Sequence, residues 1–578
     1  MKDFIFCYSK VELDARQKTA DVFKYLYGDS ATIISNKGKN WVFIGVQIED
    51  ALESSTDKLN GVEQLIGQPL TLKNKPINTC ELKSIIDNSK TIDVDGDYLY
   101  FQYNNESKKI KIVSSKLGLL PCYYIVTDDY CIVSSRILLI KKIIADLSVN
   151  IGAVAQFCLY NYIITDRTFF KNVFDMPSGS ILNIDIAKNK VETSQYWSIE
   201  NELVENPYSF KNSKVLLNTT LDSIIKEKLN EKRKIGLSLT GGWDGRLLLG
   251  YASKYKKKED IQLYSFGTIH SPDVFVPKEN ARNIGYNYLH IDLGDSNYEE
   301  NKIKFAIDTV IKSDGMRSFK RGHYLYAMSF LRKDIDFIIS GIGGSNLIKS
   351  GKIQSSNVFN SFVLELIYAN DYKEVISKHY DYLKKNYSEI FDNLEYSEFQ
   401  KSFECNRFLN LYRKYKSSRR RLISFLLSDI ERKYFGYELM SYRPLVNNYS
   451  PFFDMQFIRI LAKTSYFGAY DLNSSKFASI RNARLYAKLV RINFPLLAKQ
   501  KTDRGFSLFD LLYPYRVSFM KDYLNIKKYS RDKNKDFFNN RDLESSVVDS
   551  YGFSFLANQK HKSEVISNFL TFKIFQQA

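Results

Sequence analysis

The stretch I-G-L-S-L-T-G-G-W-D-G, residues 235–245, decides the reading of this chain. Ile235 to Leu239 form the short apolar run of a buried strand. Thr240, Gly241 and Gly242 follow as a turn of small residues, and a helix opens near Gly245. Small side chains leave the amide N–H groups of such a turn uncovered, and the helix start adds a positive dipole end. Together these make a phosphate site. Phosphate would repel Asp244 unless Mg²⁺ lies between carboxylate and phosphate oxygens. The same residues also fit a plain tight turn with Asp244 as the helix N-cap. No G-x-x-x-x-G-K-[S/T] loop occurs, and the turn is not a dinucleotide fingerprint.

The surrounding pattern is strand–helix alternation. A helix is expected at about 211–230, before the quoted strand. Strands follow at 262–266, 288–293 and 336–341, with helical stretches between them. This alternation predicts a parallel, doubly wound sheet, which binds ligands beyond the carboxyl ends of its strands. A second small-residue turn, S-G-I-G-G-S-N (340–346), follows the apolar D-F-I-I, so two turns can face each other across one nucleotide. Lys501, in L-L-A-K-Q-K-T-D-R-G-F (496–506), is a third candidate. From about 355 onward the pattern is mainly helical. A basic cluster of Arg413, Lys414, Lys416, Arg419, Arg420 and Arg421 leads into the apolar L-I-S-F-L-L (422–427).

Residues 1–200 read differently. Short aromatic and β-branched strands are expected at 41–46, 98–103, 109–113 and 123–133, with hairpin tips at 104–107 and at Asp128-Asp129. Helices are expected near 11–27 and 138–160. This predicts a layered α+β domain.

Composition narrows the function classes. Of 578 residues, 44% are hydrophobic and 26% charged, which excludes disordered and fibrous classes. The aromatic load of 41 Tyr and 40 Phe accompanies many Lys, Asn and Ile and reads as coding bias rather than as a binding feature. The six cysteines have no C-x-x-C spacing and no histidine cluster beside them, so neither a zinc site nor a disulfide framework is indicated. The first apolar stretch is only five residues long, and no run approaches the ~18 of a spanning helix. The expectation is a reduced, cytoplasmic protein with no membrane partner. The net charge of +18 is uneven: residues 1–200 hold 23 Lys and Arg against 24 Asp and Glu, and the remainder 60 against 41. An anionic ligand, if the chain takes one, belongs to the second part, and a generally Lys-rich surface is the other reading of the same excess. The basic residues are not interleaved with aromatic stacking platforms, which argues against nucleic acid.

The motifs taken together resemble the asparagine synthetase-like ATP-dependent ligases, the group that includes β-lactam synthetases and lasso-peptide cyclases. T-G-G-W-D-G resembles the S-G-G-x-D-S pyrophosphate loop, with Thr240 and Gly245 in place of the two serines. S-G-I-G-G-S-N is similar to S-G-E-G-x-D-E, A-K-Q-K (498–501) to the segment ending in the catalytic lysine, and S-P-F-F-D (450–454) to x-P-F-L-D. Upstream, S-S-K-L-G-L-L-P-C-Y-Y (114–124), D-R-T-F-F-K-N-V-F-D-M-P-S-G-S-I-L (166–182) and Tyr196-Trp197 resemble segments of the N-terminal glutaminase-like domain.

The resemblance implies two domains. Residues 1–204 would form an Ntn-hydrolase-like αββα sandwich. Residues 205–578 would form an adenine-nucleotide α-hydrolase-like (pyrophosphate-loop) parallel-sheet domain with a helical C-terminal part. It further implies an AMP-forming ligase that adenylates a small-molecule or peptide carboxylate with ATP and Mg²⁺ and passes it to ammonia or an amine, in an assembly that allows a homodimer. The implied catalytic residues are Lys501 and Asp244. The implied ATP site is Ser238, Leu239, Thr240, Gly241, Gly242, Thr268, Ser340 and Gly341, and the implied metal ligands are Asp244 and Ser345. Two departures set further expectations. Lys2 stands where glutamine-hydrolysing members carry a nucleophilic Cys, so glutaminase activity is not expected and the first domain is expected to be structural. Ile342, Ser345 and Asn346 replace three acids of the second loop, which leaves a degenerate, non-catalytic nucleotide-binding or partner protein as the alternative.

Overall fold

The computed structural model describes residues 2–10, 15–28, 32–47, 61–72, 74–89, 91–229, 234–348, 360–414, 418–467, 476–503, 505–513, 543, 545–548 and 564–578. The N-terminal strands are β1 (Asp3–Ser9), β2 (Thr32–Lys37), β3 (Trp41–Gln47), β4 (Gly61–Leu70), β5 (Asp95–Asn104) and β6 (Lys109–Ser114). They continue as β7 (Tyr123–Val126), β8 (Tyr130–Ser134), β9 (Phe174–Asp175), β10 (Ser180–Asp185) and β11 (Lys190–Gln195). They build one sheet in the order β2-β3-β1-β8-β7-β9 and a second in the order β11-β10-β6-β5-β4. Period-two alternation decides how the sheets pack. On β1, Phe4, Phe6 and Tyr8 meet Leu99, Phe101, Tyr103 and Ile112 of the facing sheet in a closed aromatic core. Ile5 and Cys7 point the other way, into a cluster shared with Val22, Phe23 and Leu26 of the helix Ala15–Tyr27. The helix Thr79–Asn88 covers the outside of the second sheet through Leu82 and Ile86 against Tyr98, Tyr100 and Val113. The order helix–sheet–sheet–helix is the layering expected from the sequence.

The third sheet is parallel: β12 (Ile235–Ser238), β13 (Ile261–Gly267), β14 (Tyr288–Asp292), β15 (Phe337–Ile339) and β16 (Asn447–Tyr449), in the order β14-β13-β12-β15-β16. The fifth strand was not anticipated, because it is only three residues long and follows a long helical stretch. One further expectation is corrected. The helix expected over 138–160 is two, Ile137–Ile143 and Ile151–Tyr160, because the Asn150 side chain caps the second by accepting from the Ala153 amide. Strands β1, β2, β4, β10 and β11 were also not anticipated; in β2, β4, β10 and β11 polar residues interrupt the apolar run. Of the basic cluster, Lys416 and the Arg419 side chain lie outside the described residues. Arg421 is buried, donates to the Ala369 carbonyl at 2.6 Å and stacks over Tyr412, so it is a structural residue rather than part of an exposed face. Among the described residues no helix is long and apolar enough to cross a membrane.

Buried charges join the two sheets of residues 1–197 to the rest of the chain. Arg136, fully buried after β8, donates to both oxygens of Asp314 (3.1 and 3.2 Å), to Asp3 of β1 (3.3 Å) and to the Lys312 carbonyl (3.0 Å). Arg459 forks onto Asp95 of β5 with both contacts at 2.6 Å, and Lys116 reaches the same carboxylate at 3.0 Å. Arg432 pairs with Asp175 at 2.6 Å and donates to the carbonyls of Gly118 and Met176. It lies in the π-helix Leu426–Gly436, a geometry that recurs where a helix must present unusual contacts. Removing one partner of such a set strands the others in a low-dielectric interior. Arg136→Ala is therefore expected to destabilise the chain by about 3–5 kcal/mol, read as a lower urea midpoint. An unchanged midpoint would show that Asp3 and Asp314 do not depend on the guanidinium.

Candidate functional site

Three chain segments meet at the carboxyl end of the parallel sheet, and glycines are their points of contact. β12 occupies the centre of the sheet, with β13 and β15 on either side. Its end runs through Leu239 into the turn 240–243 and the helix Asp244–Ala252. A Cβ on Gly241 would lie 2.2 Å from the Cβ of Asp503, one on Gly341 would lie 2.8 Å from the Cβ of Asp244, and one on Gly245 would lie 2.2 Å from the Ser238 carbonyl oxygen. Only glycine permits these approaches. Gly245, a departure from the serine of the resembled motif, is thus a requirement here: the helix starts too close to the end of β12 for a side chain.

Arg246 fixes the third segment. Its side chain is fully buried, and its Nε donates to the Gly242 carbonyl at 3.1 Å. Its other nitrogens cross to the carbonyls of Gln500 (3.3 Å) and Lys501 (2.6 Å). Asn280 donates to the same Lys501 carbonyl at 3.0 Å, and the Asp503 amide donates to the Gly241 carbonyl at 3.2 Å. Burial pulls the Arg246 guanidinium down to about 10, partly offset by Asp503. The backbone of Lys501 is therefore held against the glycine turn while its side chain is exposed. Lys499, at the end of the short helix Pro495–Ala498, is also exposed but lacks this anchoring.

The remaining expected residues sit on the same end of the sheet. Ser238 and Leu239 close β12. Thr268 follows β13, where its carbonyl accepts from the Ser271 amide at 2.9 Å. Ser340 follows β15; its amide donates to the Tyr449 carbonyl at 2.9 Å and its hydroxyl accepts from the Ile342 amide at 3.2 Å. Phe452 and Phe453 of S-P-F-F-D floor the second turn, each 2.7 Å from where a Cβ on Gly344 or Gly343 would stand. One expectation is corrected: the turn amides are not uncovered. Gly242 donates to the Thr240 hydroxyl at 3.1 Å, and Gly241 donates to Asp273 at 3.3 Å.

Asp244 and Ser345, the expected metal pair, do meet: the Ser345 hydroxyl donates to one oxygen of Asp244. The other oxygen accepts from the Tyr486 hydroxyl at 2.7 Å. Among the described residues no group of three or more His, Cys, Asp or Glu could hold a metal ion. One carboxylate and one hydroxyl suffice for Mg²⁺ only where phosphate oxygens and waters supply the other ligands. Tyr486, Arg246 and Asp273 were missed in the sequence. Arg246 had a signal, a charge one residue after the glycine turn at the start of an apolar helix. Tyr486 had none, since 242 residues separate it from Asp244.

At the head of β1, the Lys2 ammonium donates to Asn447 of β16 at 2.7 Å. Burial and the neighbouring Arg443 lower it to about 8. Cys7 is buried, and burial pushes its thiol far up.

Residues 88–197 match the family of glutamine amidotransferase domains. A Methanocaldococcus jannaschii protein described as a glutamine-hydrolysing asparagine synthetase is 21% identical over 267 residues, 46% of either chain. The glutamine-hydrolysing asparagine synthetase of Gallus gallus is 21% identical over 273 residues, 44% of this chain and 45% of its own. The chain thus matches under half the length of either relative. Among solved structures, the allosteric regulatory enzyme of purine biosynthesis covers 50% of this chain and 74% of its own at 10% identity, with a TM-score of 0.23. The amidotransferase match and the two synthetase matches over nearly half the chain make this protein similar to the asparagine synthetases.

Proposed function

We propose that the protein is an ATP-dependent, AMP-forming amide-bond ligase with no glutaminase activity of its own. The observation that carries this reading is the convergence of the turns 240–243 and 340–346 with the Lys501 segment at the carboxyl end of one parallel sheet, where such sheets bind ligands. A carboxylate oxygen attacks the α-phosphorus of ATP, and pyrophosphate leaves. The nitrogen of ammonia or an amine then attacks the acyl carbon, AMP departs with the electron pair of the C–O bond, and the amine proton is released. The site contributes position and charge rather than covalent chemistry.

In this reading the turn amides of Gly241 and Gly242 pass from Asp273 and Thr240 to phosphate oxygens. Ser238, Leu239 and Thr268 line the adenosine side, and Ser340 and Gly341 close over it. Asp244, with Ser345, would hold Mg²⁺, whose charge supports the departing pyrophosphate. Lys501, held by its backbone at the turn, places its ammonium at the phosphoryl group. The alternative of a nucleotide-binding protein without turnover is favoured by one observation: both Asp244 oxygens already accept from hydroxyls, and no acid cluster stands beside them among the described residues. ATP–pyrophosphate exchange with a panel of carboxylates separates the readings. Exchange above background supports the ligase, and its absence with every carboxylate while ATP still binds supports the alternative.

What occupies the head of β1 supports the expected absence of glutaminase. Lys2 is tied to Asn447, Asp3 is tied to Arg136, and the Cys7 thiol is too buried to ionise. Glutamate release from glutamine should stay at background and be unaffected by Cys7→Ala; hydrolysis that Cys7→Ala abolishes would contradict this.

Asp244→Asn should weaken Mg²⁺-dependent ATP binding, measured by calorimetry, because among the described residues no group of acids stands beside it to compensate. Equal affinities would remove Asp244 from the metal site. For Lys501, the interaction strengthens as phosphoryl charge develops, so its loss should fall on rate rather than binding. Lys501→Ala should keep ATP affinity within several-fold and lose roughly 10²–10³ in exchange rate. Lys501→Arg should rescue poorly, since a planar fork does not replace a compact ammonium. Lys499→Ala is the parallel variant, and a larger loss there would move the role to Lys499.

A further inference from the structure

The helix Lys476–Asn493 has a second polar face. Tyr486 turns toward Asp244, whereas Lys488, two residues on, projects from the far side of the helix. There it lies 4.6 Å over the ring of Phe210. Lys488, Arg491 and Ile492 of this helix, with Lys214 of the helix Phe210–Leu229 and with Leu512 and Tyr513, line a cavity of about 450 Å³. Among the described residues no carboxylate pairs with Lys214, Lys488 or Arg491. Two of the three charges rest on aromatic faces instead: besides Lys488 over Phe210, the Arg491 guanidinium lies 5.3 Å from the ring of Phe509 and 5.4 Å from that of Tyr513, whose hydroxyl accepts from it. Arg484, one turn back, leaves its Nε buried without a hydrogen bond. Burial, with Lys214 and Arg484 as like-charged neighbours, lowers the Lys488 ammonium. Like charges held together in a cavity without counter-charge raise the energy of the empty site, and an anion relieves that repulsion.

We propose that this cavity binds a phosphoryl group, at a site separate from the glycine turns. Two ammonium groups and one guanidinium offer converging donors and three positive charges, which a phosphate dianion matches better than a carboxylate does. The rim is apolar and open, with Ile492 53% and Tyr513 37% exposed, so an organic body attached to the phosphate has a surface to lie on. Inorganic phosphate and a phosphorylated small molecule share this chemistry. The proposal does not rest on the ligase reading, because none of the lining residues belongs to that site.

The test is calorimetry on the full chain in metal-free buffer with inorganic phosphate, phenyl phosphate and phenylacetate. Both phosphates are expected to bind, more weakly as salt rises. Phenyl phosphate binding more tightly than phosphate identifies the occupant as an organic phosphate, and equal affinities identify free phosphate. The double variant Lys214→Gln/Lys488→Gln should weaken either phosphate at least about tenfold, the scale of removing charge-assisted contacts. Lys488→Arg should retain binding, and Asp244→Asn should not change it. If the double variant fails to fold, Lys214→Gln alone is read for the same loss. Unchanged affinity in these variants, loss of binding in Asp244→Asn instead, or phenylacetate binding as tightly as phenyl phosphate would overturn the proposal.

Discussion

The arrangement of the candidate site depends on one buried cation. Arg246 leaves the glycine turn on the first turn of its helix and spans the gap to the Gln500 and Lys501 carbonyls. Buried hydrogen bonds made by a charged donor are about twice as strong as neutral ones. They also place the chain around Lys501 against Gly241, although more than 250 residues lie between them in sequence. The glycines at 241, 245 and 341 are the steric complement of this clamp. The clamp draws three backbones together, and only residues without a Cβ allow the distance.

The N-terminal layers meet this core through buried ion pairs rather than through a flexible joint. Asp3, Asp95 and Asp175 each lie on a strand of the two antiparallel sheets, and each receives an arginine: Arg136, which itself bridges to Asp314, then Arg459 and Arg432. Burying such charges costs solvation, so their value lies in fixing geometry as much as in stability. Lys2, reaching Asn447 on the outermost strand of the parallel sheet, belongs to the same set of contacts. The head of β1 is thus engaged in joining the two halves of the molecule.

Much of this was legible in the sequence, for local reasons. The central strand, its turn and the following helix are contiguous, so composition and small-residue spacing reported them directly. The facing turn at 340–346 was legible for the same reason. Illegible features are those that depend on distant partners. The hydroxyl of Tyr486 on Asp244, the role of Asp273 in taking the Gly241 amide, and the three-residue strand β16 leave no periodic trace. Arg421 could not be separated from its exposed basic neighbours, because burial of a single arginine depends on which carbonyl lies opposite. The Gly245 departure is only a replaced serine in motif terms, and the distance to the Ser238 carbonyl shows the packing demand behind it.

The central claim is that residues 240–246, 340–346 and 498–503 form one ligand site. Hydrogen exchange on the full chain, with and without Mg·ATP, addresses it directly. The account predicts that amides in all three segments become protected together at the same ATP concentration. Protection confined to one segment, or spread elsewhere while these three stay unchanged, would contradict it.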